Sequence, residues 1–154
     1  MEHIALFVEG SYDKLKVAIN NGGNGFGLST EAIRYIAKLK NSNVYCYHKT
    51  GIKSSNGKNE YTKIDDNYGD DGFVYYMTED AGDITNELKG ELFTPFVSRD
   101  DVFLIKTIED IGNKASASYS KLQVIEIPNN SKFTIIKNID NNWHCIETVD
   151  YKLI

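Results

Sequence analysis

The chain has 154 residues, 41% hydrophobic and 25% charged, a profile that fits one globular domain with a real core and is too short for two comfortable ones. Its formal net charge of −5, from 17 basic and 22 acidic residues, argues against a general nucleic-acid binder. No apolar run approaches the ~18 residues that span a bilayer, so no membrane partner is expected.

The N-terminal stretch MEHIALFVEGSYDK carries acids and lacks a basic n-region, so it does not read as a signal peptide. Cys46 and Cys145, the two cysteines, make no disulfide framework and point to a reducing, intracellular setting. His3 to Val8 is a short apolar run, Leu15 to Ile19 alternates, and the turn-like Glu9 to Asp13 between them predicts a hairpin. A glycine-dense loop follows, Gly22-Gly23-Asn24-Gly25-Phe26-Gly27, and runs straight into a helix over Thr30 to Lys40. Ser29 is the expected N-cap and Glu31 adds a favourable first-turn charge. Ala32, Tyr35, Ile36 and Leu39 share one face, and Asn41 to Asn43 stop the helix.

Val44 to His48 is a strand, with Tyr45 and Tyr47 on the face opposite Val44, Cys46 and His48. Residues 49–72 turn polar and glycine-rich and read as a long polar loop or hairpin, in which Lys58 to Ile64 can pair. Phe73 to Thr78 is a strand, and Glu79 to Gly90 reads as one short helix. A second helix carries Leu104, Ile105, Ile108 and Ile111 on one face, starts at a loose capping box of Ser98 with Asp101, and ends at Gly112. Three strands close the chain: Leu122 to Ile127, Phe133 to Lys137 and Trp143 to Val149, turned at Pro128–Asn130 and Asp140–Asn142. The pattern predicts a single α+β domain over 1–154, a mostly antiparallel β-sheet with two main α-helices.

The glycine loop invites two readings. Gly23, Gly25, Phe26, Gly27 and Ser29 can form a tight connection with φ > 0 positions, or an anion site at a helix N-terminus. There is no Gly-Lys-Ser/Thr ending and no dinucleotide fingerprint. No metal and no cofactor are expected. Cys46-x-His48 and His144-Cys145 lack zinc-module spacing, and neighbouring strand residues point to opposite faces. Asp65, Asp66, Asn67, Asp70 and Asp71 form an acidic loop rather than a calcium loop, because the closing Glu is replaced by Tyr76. The ten tyrosines, among them Tyr45, Tyr47, Tyr75 and Tyr76, fit strand packing or a surface of rigid aromatic anchors. No base, nucleophile and orienting group assemble, so the chain does not read as an enzyme.

Taken together, Gly25-Phe26-Gly27-Leu28-Ser29 with Glu31-Ala32, Arg99-Asp100-Asp101, the acidic helix ending Ile111-Gly112, and Val124-Ile125-Glu126-Ile127-Pro128 resemble an uncharacterised group of small proteins from tailed bacteriophages. That group shows GGFGLS, RDD, VVEIPDD and YDG-type segments in this order, and the likeness covers roughly residues 15–47 and 97–150. Asn24 interrupts the glycine pair, Ile111 stands for a leucine, and residues 1–14 look like an added N-terminal strand. The resemblance implies phage origin, a location in the host bacterial cytoplasm and a shared fold, and it names no reaction.

With that context the sequence suggests a non-enzymatic protein acting on host antiviral defence by sequestering a small phosphorylated, nucleotide-derived signal. The glycine loop and Ser29 would hold phosphate, Arg99 would pair with its charge, and Tyr45 and Tyr47 would stack on a base. The alternative is a protein-binding inhibitor of a host defence nuclease complex, acting through an acidic, tyrosine-rich surface. Either is expected to self-associate as a homo-oligomer, through exposed strand edges.

Overall fold

A computed structural model describes residues 14–65 and 73–154. The expected strand at His3–Val8, its turn, and the acidic positions Asp66, Asn67, Asp70 and Asp71 lie outside the described residues. In chain order the elements are β1 (Lys14–Gly23), α1 (Thr30–Leu39), β2 (Tyr45–Lys53), β3 (Asn59–Lys63), β4 (Tyr75–Met77), β5 (Ile84–Thr85), α2 (Val102–Ile111), a 3-10 turn (Gly112–Ala115), β6 (Ser120–Pro128), β7 (Ser131–Ile139) and β8 (Cys145–Leu153). This is the α+β class expected, with two α-helices and antiparallel strands among the described residues. The strands form two sheets, ordered β6-β1-β8-β7 and β4-β2-β3-β5. No helix among the described residues is long and apolar enough to cross a membrane.

The described residues divide into two compact units, one of 14–28 plus 96–154, the other of 29–65 plus 73–95. In the first, β1 pairs with β6 from Lys14↔Pro128 to Gly23↔Ser120, with a bulge after Asn20. β7 and β8 form a long hairpin from Ser131↔Leu153 to Ile139↔Cys145, joined to β1 at Asn21↔Ile146. The alternating apolar residues of the two ribbons meet as a core: Val17, Ile19 and Ile127 are buried, with Leu15, Ile125, Phe133, Ile135 and Val149 packed against them. α2 buries Leu104, Ile105, Thr107 and Ile108. Its cap is Asp101, whose carboxylate accepts the Phe103 and Leu104 N–H groups at 2.8 and 3.2 Å. The cap expected at Ser98 therefore moves one turn on, because the Ser98 hydroxyl is turned to Asp100. Gly112, at φ +60°, ends the helix as expected.

In the second unit, Ser29 caps α1 by accepting the Ala32 N–H at 3.0 Å. The buried stripe is Ala32, Ile33, Ile36 and Ala37, while Tyr35 and Leu39 are half-buried. Asn41, at φ +55°, stops the helix. Residues 49–65 resolve as the arm of the β2–β3 hairpin, closed by a turn at 54–58 in which the Gly57 N–H bonds the Ser54 carbonyl. The short helix expected at 79–90 is absent, and in its place are turns and the two-residue β5. Gly82 and Gly90 take φ of +94° and +79°, and the Asp80 carboxylate captures the Gly82 N–H at 2.8 Å, both incompatible with helix continuation.

Candidate functional site

The glycine loop is tied backbone to backbone. Asn24 N–H donates to the Tyr119 carbonyl at 2.7 Å, and the Ala117 N–H donates to the Gly27 carbonyl at 3.0 Å. The Ser120 hydroxyl donates to the Gly25 carbonyl at 2.6 Å, and Leu28 bridges Ser116. Gly23 is required here: its φ is +72°, and a Cβ would overlap the Tyr119 carbonyl oxygen. A Cβ on Gly27 would meet the Tyr119 ring instead. These glycines thus permit close approach between two chain segments.

Arg99 is likewise committed within its own unit. Its guanidinium makes a two-pronged pair with the Glu147 carboxylate, at 2.6 and 3.0 Å, and donates to the Ala18 carbonyl at 3.2 Å. Phe26 lies under it, 3.7 Å from ring centroid to guanidinium carbon, and packs edge-on against Phe96. The Glu147 side chain is fully buried and that of Arg99 is 17% exposed. Burial pushes the Glu147 carboxyl up, but Arg99 and the Asn20 N–H, at 2.7 Å, hold it net below the usual carboxylate range. The pair lies where β8 leaves β1, and the Arg99 segment supplies partners to the stretch of β1 that β8 does not pair: the Ala18 N–H reaches the Arg99 carbonyl at 2.8 Å. Buried Asn20 bridges the same region, accepting from Lys121 N–H and donating to the Cys145 carbonyl, both at 2.8 Å.

The β4-β2-β3-β5 sheet presents a different surface. Ladder pairing puts Tyr45, Tyr47 and Lys49 of β2 on one face with Tyr61 and Lys63 of β3 and Tyr75 of β4: Tyr47 opposes both Lys63 and Tyr75, and Lys49 opposes Tyr61. Tyr75 stacks edge-to-face with Tyr61 at 5.5 Å and with Phe73 at 4.8 Å. Lys49 Nζ lies 5.9 Å from the Tyr75 ring centroid, and Lys63 Nζ lies 5.5 Å from that of Tyr45. Phe73 is 73% exposed, and Tyr45, Tyr61 and Tyr75 are partly exposed.

Tyr47 behaves otherwise. It is wholly buried, its hydroxyl donating to the Gly82 carbonyl and accepting the Ala81 N–H, each at 2.9 Å, so its ring faces protein. Burial pushes its phenol up. Lys63 is held by Asp80 at 2.6 Å; that hydrogen bond raises the ammonium and lowers the carboxyl. Lys49 makes no ion pair among the described residues.

Of the residues singled out in the sequence, Phe26 and Arg99 meet each other, Gly23, Gly25 and Gly27 dock on 116–120, Ser29 caps α1, and Tyr45 and Tyr47 share a sheet face. Sequence reasoning missed Tyr61, Phe73, Lys49 and Lys63. The signal was there in period-two alternation: Tyr45-x-Tyr47-x-Lys49, Tyr61-x-Lys63 and Phe73-x-Tyr75. No family model, curated protein or solved structure matches this chain.

Proposed function

We propose that this chain is a phage-encoded, non-enzymatic binding protein that acts in the host bacterial cytoplasm by sequestering a small nucleotide-derived signal of antiviral defence. The observation that carries the binding part is the open face on which Tyr45, Tyr61, Tyr75 and Phe73 alternate with Lys49 and Lys63. Rigid aromatic rings offer π-faces to a base, and an adjacent ammonium answers a phosphate. The sequence resemblance supports the phage setting. The phosphate-holding role first considered for Arg99 passes to Lys49, because the Arg99 donors already serve Glu147 and Ala18.

Calorimetric titration with ATP and with cyclic di-AMP tests this reading. Saturable binding of at least one is expected, weakened at least tenfold in Tyr75→Ala, since each base stacked on an aromatic is worth about 1–3 kcal/mol. Absence of heat with both, at millimolar nucleotide, sinks it.

A protein-binding inhibitor is the second reading, and one observation favours it. Trp143 sits at the β7–β8 turn, 75% exposed and at φ +64°, with Ile139 and Ile146 also exposed at the ends of the flanking strands. Tryptophan is among the residues enriched at the energetic centres of protein interfaces. Under either reading, self-association into a homo-oligomer would use the edges of β6 and β7, which pair with no further strand among the described residues.

A further inference from the structure

The two outer strands of the β6-β1-β8-β7 sheet are not equally open. The Ala18 N–H turns away from β6 to the Arg99 carbonyl, so it is the odd-numbered residues of β1 that bond β6. In β6 the outward-facing backbone therefore belongs to even-numbered residues. Of these, the Leu122 N–H already donates to the Ser116 hydroxyl at 3.0 Å, and Pro128 has no N–H to give. That leaves Val124 and Glu126, a short stretch of edge.

β7 is open along its length. The Asp140 N–H donates to the His144 carbonyl at 3.1 Å and the Ile154 N–H to the Asn130 carbonyl at 2.7 Å, so even-numbered residues of β7 face β8. Phe133, Ile135, Lys137 and Ile139 turn a donor and an acceptor outward, and these meet no partner among the described residues. Such an edge accepts another strand, and the side chains decide which strand and in what register.

Outward-facing residues must oppose one another, so a second, antiparallel β7 can centre on residue 134, 135, 136 or 137 with most of its length paired. Centring on 137 sets Lys137 against itself. Centring on 134 or 135 sets Lys132 against Ile136 or Asn138, with no carboxylate in reach. Centring on 136 opposes Lys132 to Asp140, Phe133 to Ile139, Thr134 to Asn138, and Ile136 to itself. Lys137 then opposes Ile135 and keeps Glu147 of its own chain across the hairpin. Lys132 is exposed and makes no ion pair among the described residues, and the Asp140 side chain is half exposed, with room for a cation. In this register the even-numbered pairs are the ones without backbone hydrogen bonds, about 4.5 Å apart at Cα, where side chains meet most closely. They lie on the exposed face, which carries Ile136 and Ile146, each 42% exposed.

Resting on the expectation of self-association, we infer that β7 binds a second copy of this chain, strand to antiparallel strand, about a two-fold axis at Ile136. Each Lys132 pairs with the partner's Asp140, and the two four-stranded sheets join into one. β6 takes no part.

Light scattering after gel filtration reads the mass, and a cysteine scan reads the register. Thr134→Cys, Ile135→Cys, Ile136→Cys and Lys137→Cys are made one at a time, with the buried Cys46 and Cys145 left in place. Each position meets itself in one register alone, so native oxidation cross-links the position on the axis. A dimer is expected, and Ile136→Cys should cross-link at least tenfold faster than the other three. Ile136→Lys sets two ammoniums together on the exposed face and should weaken dimerisation at least tenfold. Its diluted monomer should unfold as the diluted parent does, which separates a lost interface from a lost fold.

A dimer that cross-links best at 134, 135 or 137, or that tolerates Ile136→Lys, overturns this pairing while self-association stands. A monomer at every concentration overturns both, and the nucleotide titration is decided independently of either.

Discussion

The glycine loop with Arg99 and the tyrosine face of β2, β3 and β4 use similar groups in opposite ways. Around Arg99 three guanidinium N–H groups meet protein acceptors, the cation rests on Phe26, and the carboxylate it neutralises is buried. On the tyrosine face the rings touch each other by their edges, Lys49 hovers over Tyr75, and no carboxylate answers it among the described residues. A cation and an aromatic ring in contact are thus a structural joint in one place and an open surface in the other. What separates them is whether a counter-charge is built in. Satisfied groups stabilise a fold, and unsatisfied exposed groups are available to a ligand.

Glu147→Ala should break this contrast most visibly. It leaves Arg99 half-buried without its partner and orphans the Asn20 N–H, and should cost about 3 kcal/mol, the low end for a broken buried pair because Arg99 retains some solvent access. Lys49→Ala, on the open face, should change stability by no more than about 0.5 kcal/mol. Urea denaturation of both variants gives the comparison directly, and equal losses would erase it.

Gly23→Ala comes next. It forces a positive φ on alanine and drives a Cβ into the Tyr119 carbonyl, so a loss of about 2 kcal/mol is expected. Gly27→Ala should cost about 1 kcal/mol, an overpacking cost without backbone strain, since the Tyr119 ring is half exposed and can swing aside. Thermal unfolding of the pair ranks them. A reversed order would mean that the ring, rather than the backbone contact, fixes the loop.

The smallest expected effect is in pH. Glu147 has a folded pKa below its unfolded value, so its contribution is fully present above the ordinary carboxylate pKa of about 4.3 and is lost as pH falls through the folded value. The urea midpoint should hold level from neutrality to about pH 5 and decline below it, and the decline should be shallower in Glu147→Gln. An unchanged acid limb in that variant would show that the pair contributes no pH dependence.

What the sequence carried well was local. The Ser29 cap, the Gly112 stop, the stripes of α1 and α2 and the closing strands all follow from spacings of a few residues. The Arg99–Glu147 pair joins positions 48 residues apart, and no periodicity marks one as the other's partner. The strand alternation that placed Tyr45 and Tyr47 together was correct, yet their fates diverge because the 80–82 loop covers only Tyr47. That cover was illegible, since the same stretch reads as a helix until Gly82 and the Asp80 side chain are seen to break it. The pull of the glycine loop had a related cause: glycine signals close approach, and the chain alone does not say whether the approaching group is a phosphate or another strand.

Trp143 has an optical consequence. It is the chain's one tryptophan, and Asp140 holds its turn through the N–H groups of Asn142 and His144, at 2.8 and 2.9 Å, and the His144 ring at 3.0 Å. The indole already faces water in the folded chain, so its emission starts close to that of an unfolded peptide and is a poor gauge of either unit's core. It is instead a built-in reporter of the hairpin tip, blue-shifting when something dry settles over it.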